Sequence, residues 1–314
     1  MQKTLDGDLI VEAKPFLKWA GGKGQLIPEI EKRLPVEIKK TRTVGKYFEP
    51  FIGGGALFFY LMSNYKIKKS YISDINKELI VVYKTIQKDS NKLINLLNDF
   101  KSEFIPLDHN KRKEFYLNIR DKFNNDLTDF DFNNYSSDFI KRAAYIIFMN
   151  KTCFNGLFRV NKKGEFNVPF GRYKNPLICD ASNLKAASKI LKNTKITAAS
   201  FIDSEELIDD NSFVYLDPPY RPLNKSASFT SYSKFDFDDE NQIELANYYK
   251  KVSKKGAKVL LSNSDPKNED ENDNFFDDLY GDFIIDRVYA KRSINRDKNK
   301  RGPITEILVR NYEV

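Results

Sequence analysis

The sequence predicts an α/β protein built on a doubly wound sheet, with a helical and hairpin segment set into its middle. Three observations carry this. First, Tyr47-Phe-Glu-Pro-Phe-Ile52 is a mostly apolar run that enters Gly53-Gly54-Gly55 and leaves it as an apolar helix, the strand–loop–helix opening of a nucleotide-binding unit. Second, Phe213-Val-Tyr-Leu216 is an apolar run that stops at Asp217-Pro218-Pro219-Tyr220, as a buried parallel strand does at its carboxyl end. Third, strand–helix alternation is clear up to residue 86 and again from 193, but lapses in between. We therefore expect 1–86 and 193–314 to form one domain, with 87–192 inserted into it.

Composition narrows the function. The 314 residues are 41% hydrophobic, enough for a sizeable core. No apolar run reaches the length of a membrane span. Met1–Lys14 carries charges of both signs and no apolar stretch, so a signal peptide is not expected and the cytoplasm is. Cys153 and Cys179 are the two cysteines and His109 the single histidine. That argues against a disulfide framework, a zinc site or histidine catalysis, and no metal is expected. His109 sits in a polar stretch that reads as a solvated loop. The formal charge of +8 favours a polyanionic partner.

Taken in order, the first dense signal is Phe16-Leu-Lys-Trp-Ala-Gly-Gly-Lys23. Its paired glycines, beside a Lys and a Trp, let backbone and ring approach a ligand closely. No glycine lies five residues before either Gly-Lys pair, which excludes a P-loop. A helix is expected over Gln25–Leu34, closed by Pro35, then a basic loop over Lys39–Lys46. After the glycine loop a strand Ser70–Ser73 ends at Asp74, which stands 19 residues past Gly55. An acid near that spacing binds a ribose diol. It equally serves as a helix N-cap, since Asp74-Ile-Asn-Lys-Glu78 opens an amphipathic helix. Glycine loop and acid alone also fit a nicotinamide dinucleotide.

The inserted stretch reads as helices over Asn91–Phe104, Asn110–Phe123 and Phe139–Met149. A segment rich in basic, aromatic and amide residues follows, Asn150–Tyr173. Lys162-Lys-Gly-Glu165 looks like a hairpin turn between two short strands. Such residues read base edges and wedge between base steps; they also suit a plain solvated hairpin. Beyond it come a strand Thr194–Ser200, the strand into Asp217, and a long loop Pro222–Asp239 that is a candidate lid. A helix Asp239–Lys251, a strand Ala257–Ser262, an acidic and solvated stretch Asp265–Asp278, and a strand pair Phe283–Tyr289 and Thr305–Asn311 complete the chain. Between the last two lie Lys291, Arg292, Arg296, Lys298, Lys300 and Arg301, a candidate phosphate clamp.

Prolines 218 and 219 cannot join a sheet ladder and push their predecessors away from helix. They therefore present Asp217 and Tyr220 on a stiff turn. A carboxylate, prolyl carbonyls and a ring at that point suit a planar base bearing an amino group.

Together these motifs resemble the Dam/DpnM-type (class alpha, D12 class) DNA adenine-N6 methyltransferases, from Phe16 to about Tyr312. The carriers are Phe-Leu-Lys-Trp-Ala-Gly-Gly-Lys, Glu-Pro-Phe-Ile-Gly-Gly-Gly, Asp-Ile-Asn, Phe-Asn-Val-Pro-Phe-Gly-Arg-Tyr and Asp-Pro-Pro-Tyr, in that order. The resemblance implies a seven-stranded S-adenosylmethionine-dependent fold with its last strand antiparallel, and an inserted target-recognition domain. It implies methyl transfer from S-adenosylmethionine to N6 of a flipped adenine in duplex DNA, within GATC. Trp19, Lys23, Phe51, Gly53, Asp74, Phe201 and Asp217 would serve the cofactor; Asp217, Pro218 and Tyr220 the target adenine. Lys18, Phe154, Asn155, Leu157, Arg159 and Pro169 would meet bases, and Asn161 and Arg172 the DNA backbone. Relatives commonly carry Tyr where this chain has Phe154, so any hydrogen bond from that hydroxyl is absent. The resemblance leaves open whether a cognate restriction endonuclease acts beside it.

Overall fold

The computed structural model describes residues 12–221, 237–290 and 304–314, with the backbone of two short antiparallel strands, β1 (Thr4–Leu5) and β2 (Asp8–Leu9). Most of the Pro222–Asp239 loop and the basic run 291–301 lie outside the described residues.

Seven strands form the main sheet. They are β3 (Thr43–Glu49), β4 (Lys66–Asp74), β5 (Thr194–Ala198), β6 (Ser212–Leu216), β7 (Lys258–Ser264), β8 (Ile284–Ala290) and β9 (Ile304–Arg310). Their order is β5-β4-β3-β6-β7-β9-β8. The first five run parallel, while β9 is antiparallel to both β7 and β8. This is the doubly wound seven-stranded fold expected, with its last strand antiparallel. The winding reverses between β3 and β6, where open sheets of this kind bind ligands.

Alternation along the strands assigns side chains to two cores. Tyr47, Ile72, Phe213, Tyr215, Leu260 and Leu308 face one side. Phe48, Val214, Leu216, Val259, Leu261 and Val309 face the other. All five residues of β6 are buried, which is why it reads as an unbroken apolar run.

Two short helices precede β3: α1 (Ile27–Lys32) and α2 (Val36–Thr41). The expected basic loop is thus largely the end of α2 and the start of β3. Pro35 does not close a helix so much as open the next, because its locked φ suits a helix start. Helix α3 (Ala56–Asn64) leaves the glycine loop.

Helix α4 (Lys77–Phe104) is two helical segments that meet at a kink, where Asp89 has a non-helical φ/ψ of −134/37, so the division expected before Asn91 is present. Asn76, not Asp74, caps it, accepting from the backbone of Glu78 and Leu79. Helices α5 (His109–Asn125), α6 (Asp138–Thr152) and α7 (Ala181–Leu191) complete the inserted region. His109 is exposed but opens α5 rather than lying in a loop. Arg142 of α6 is buried and ion-paired with Glu78 of α4. Phe104, Tyr116 and Phe148 join the same core as Tyr47 and Ile72, so the insert packs on the sheet side without a separate core.

The hairpin of 150–173 forms its turn but no strands. Backbone bonds join Asn161 to Glu165 and Asn167 to Arg159, and pairing beyond them is confined to isolated bridges, Val160↔Phe166 and Cys153↔Phe170.

Helix α8 (Asp239–Lys254) covers the second face behind a capping box at Asp238. The acidic stretch after β7 is not simply solvated. Asp265 is buried, accepting from Arg287 and Thr305, and Asp277 of α9 (Phe275–Leu279) pairs with Arg287 and Lys267.

Candidate functional site

Strand β6 carries its buried run to the carboxyl edge of the sheet and releases Asp217 there. Two side chains from distant parts of the chain converge on that carboxylate. Ser262 of β7 donates its hydroxyl to Asp217 Oδ1 at 2.9 Å, and Tyr215 Oη lies 2.9 Å from the same serine oxygen. Lys23 Nζ, from the other end of the chain, lies 2.9 Å from Asp217 Oδ1. The same ammonium donates to the Gly21 carbonyl at 2.6 Å and stands 4.1 Å from the centre of the Tyr220 ring. Burial raises the Asp217 carboxyl above its ordinary range, and the Lys23 charge opposes that rise.

The turn itself is braced from both flanks. Tyr220 donates its hydroxyl to Glu306 of β9, and burial with the nearby Asp217 and Glu306 carboxylates pushes the phenol well up. Gln242 of α8 donates to the Pro219 carbonyl at 3.1 Å and in turn accepts from Asn263 at 3.1 Å. Gln242 and Asn263 are fully buried. None of Ser262, Gln242, Asn263 or Glu306 stood out in the sequence, because nothing local distinguishes them from other strand and helix polar residues.

A second cluster sits beside the first, along the ends of β3, β4 and β5. Gly53 and Gly55 adopt left-handed φ values of 46° and 71°. A Cβ on Gly53 would lie 3.1 Å from Trp19 Cδ1, so the indole rests directly on the loop. Asp74 accepts the Gly53 N–H at 3.1 Å and the Asn76 N–H at 2.9 Å. Burial raises its carboxyl to about 6, against those two bonds. Phe51 stacks on Phe201 with ring centres 5.5 Å apart, and Phe237 meets Phe51 edge-on. Ile75, directly after the acid, and Ile202 are exposed apolar side chains. A cavity of about 130 Å³ opens at these strand ends, lined by Glu49, Ser73, Ser200 and Leu207 among others. Glu49 itself is buried, accepts the Tyr47 hydroxyl at 2.6 Å, and is held well above the usual carboxylate range by burial.

The third group lies on the inserted region and the N-terminal segment. Lys18, Asn155, Arg159, Pro169 and Arg172 are exposed, as is Phe154 at 53%. Leu157 packs partly on the core. Asn155 and Arg172 hold left-handed backbone, φ 58° and 57°. Arg159 donates from Nε to Asn167 Oδ1 at 2.8 Å, which holds its fork across the hairpin. The Asn161 amide folds the turn, accepting from Lys163 and Glu165 and donating to the Glu165 carboxylate.

Likeness to known proteins narrows what this arrangement serves. A family profile described as D12 class N6 adenine-specific DNA methyltransferase matches residues 19–294. The chain is 53% identical over 304 residues to the type II methyltransferase M.MjaIII of Methanocaldococcus jannaschii, covering 96% of this chain and 100% of that protein. It is 35% identical to the DNA adenine methylase of Vibrio cholerae, covering 94% of this chain and 95% of that one. The DNA adenine methylase of Escherichia coli K12 is 33% identical, with 94% of each chain covered. A profile that runs from Trp19 through the insert and past the Asp217 turn, with relatives matched over almost their whole length, means that this chain belongs to the D12 class of N6 adenine-specific DNA methyltransferases.

Proposed function

We propose that the cleft transfers the methyl group of S-adenosylmethionine to N6 of an adenine flipped from duplex DNA within GATC. The observation that carries this is the Asp217–Tyr220 turn. It holds a carboxylate, prolyl carbonyls and a ring together at the switch point of the sheet, next to a glycine loop and Asp74.

The second cluster fits S-adenosylmethionine. Asp74 is a half-buried acceptor at the spacing that suits ribose hydroxyls. Gly53 lets the Trp19 indole lie directly on the loop, where a Cβ would crowd the ring. Phe51 and Phe201 offer apolar surface for a ring. Lys23 and Asp217 border the same cleft. Bound there, S-adenosylmethionine supplies an electrophilic sulfonium methyl. The chain's residues do the rest by holding the acceptor.

Flipping the adenine costs a few kcal/mol. Tyr220 takes the base on its ring face, and the Glu306 bond keeps that face fixed. Asp217 and the Pro218 carbonyl accept the two N6 hydrogens. Ring conjugation makes that amino group a poor nucleophile, and in-plane acceptors favour the positive charge that grows on it. Asp217 reaches this state paired with Lys23, so the amino group meets a carboxylate that already has a cation beside it. Much of the acceleration comes from holding two reactants in line. The acidified N6 loses its proton late, so no strong base is needed beforehand.

Lys18, Phe154, Asn155, Leu157, Arg159 and Pro169 are assigned to the bases, and Asn161 and Arg172 to the backbone. A guanidinium fork suits guanine, and an exposed phenyl ring suits a wedge. The match around Arg159 favours GATC. A restriction endonuclease acting on the same site, without direct contact, is the proposed companion; relatives named type II methyltransferases support it. The enzyme would work in the cytoplasm, on the nucleoid.

The test is expression in a host free of DNA methylation, followed by single-molecule sequencing. Wild type is expected to leave N6-methyladenine in GATC. Asp217→Ala is expected to leave none, while its affinity for duplex DNA stays within about threefold, since Asp217 is assigned to the adenine and the cofactor and not to the DNA-reading loop. Another modified base or context would overturn the specificity, and near-wild-type methylation by Asp217→Ala would overturn the mechanism.

A further inference from the structure

One buried amide joins the segment that carries Trp19 to the loop that carries Phe154. Asn150, near the end of α6, is 3% exposed. Its Oδ1 accepts the Lys18 N–H at 2.9 Å, and its Nδ2 donates to the carbonyls of Lys18 at 2.9 Å and Gly156 at 2.8 Å. All three partners are main chain, so the side chain acts as an extra peptide group between two segments that are not otherwise neighbours in sequence.

The seam around it is tight. Gly156 has φ 65°, and a Cβ there would lie 2.8 Å from Lys18 Cδ and 3.2 Å from the Asn150 carbonyl oxygen. Just beyond, Trp19 stacks on Phe158 with ring centres 5.5 Å apart and planes at 24°. The same segment continues to Lys23, whose ammonium reaches Asp217. A ligand that orders 154–158 therefore also orders the Lys18 backbone and the Trp19 ring.

We propose that Asn150 is a positioning residue that couples occupancy of the DNA-reading loop to affinity for S-adenosylmethionine. The inference rests on the proposed function, in which Phe154–Arg159 meet DNA and Trp19 lines the cofactor pocket. The physical reason is shared ordering. Each ligand immobilises the same seam, so the second to bind meets a segment already placed. The coupling is reciprocal, as linkage requires. Trp19 also rests on Gly53 and Gly54. Cofactor binding without DNA therefore has support independent of Asn150.

Calorimetric titration of S-adenosylhomocysteine, which stands in for the cofactor without a transferable methyl, with and without a GATC duplex, tests this in wild type, Asn150→Asp and Asn150→Ser. Aspartate is isosteric but turns an oxygen toward two carbonyls; serine is uncharged and too short to span the seam. For wild type the duplex should tighten cofactor binding at least about fivefold. Both variants should bind the cofactor alone within about threefold of wild type, with the duplex effect reduced below about twofold. Retained tightening in both variants, or none in wild type, overturns the proposal. So does loss of cofactor binding by both variants without DNA, which would make Asn150 a purely structural residue. Failure of the underlying reading has another signature, wild type that binds neither ligand, and that outcome overturns both.

Discussion

A carboxylate released from the end of a fully buried strand is costly to keep charged. Asp217 shows what the protein spends around it: the Ser262 hydroxyl, the Lys23 ammonium, and a turn held by Gln242. Asp217 and Tyr220 were legible in the sequence because two prolines after an apolar run have few structural meanings. Lys23 was legible only through resemblance. Glu306 was not legible, since a single acid in an amphipathic strand looks like any solvated residue. Its bond to Tyr220 leads to a prediction. Tyr220→Phe and Glu306→Leu should each slow single-turnover methyl transfer about tenfold, as for loss of one hydrogen bond to a charged group. The double variant should be no slower than either single one, because both remove the same contact. Glu306→Gln, which keeps an acceptor, should recover most of the rate. Additive losses would show that the two side chains act separately.

At the level of elements, the glycine loop and β6 were readable because strands buried on both faces carry uninterrupted apolar runs. The break that local pattern places before Asn91 falls at the kink of α4, where Asp89 leaves helical backbone. Helix α7, short and late in the insert, was not read from the sequence. The hairpin was readable as a turn but not as a strandless one, because Asn161 and Glu165 close it through side-chain bonds that substitute for a ladder. The Arg142–Glu78 pair ties α6 to the start of α4 within their shared core, with the guanidinium over the rings of Phe123 and Phe130. Removing one partner of a buried pair leaves an uncompensated charge. Arg142→Leu is expected to lower stability by about 3–5 kcal/mol, measured as a fall in the urea midpoint. Adding Glu78→Gln should restore part of the loss, and no recovery would place the cost in packing instead.

Across the whole molecule, the division into 1–86 with 193–314 and 87–192 describes chain order better than it describes packing. Tyr47 and Ile72 of the sheet share one core with Phe104, Tyr116 and Phe148 of the insert. Helix α4 starts beside Asp74 and ends deep in the insert. The expected consequence is cooperative unfolding. Urea denaturation followed by tryptophan fluorescence and by circular dichroism should give one coincident transition. Two separated transitions would show that 87–192 folds as an independent unit.

By itself the sequence determined the seven strands of the main sheet in chain order, the position of the glycine loop, and the carboxylate, prolines and ring that end β6. These follow from periodicity, backbone restriction and turn chemistry, all of which act over a few residues. Tertiary structure alone decided which polar groups meet at the cleft: Lys23 on Asp217, Glu306 on Tyr220, Gln242 on the Pro219 carbonyl, and Asn150 between Lys18 and Gly156. Those pairings depend on strand order and helix packing between distant parts of the chain, and a polar side chain carries no local mark of the partner that the fold will bring to it.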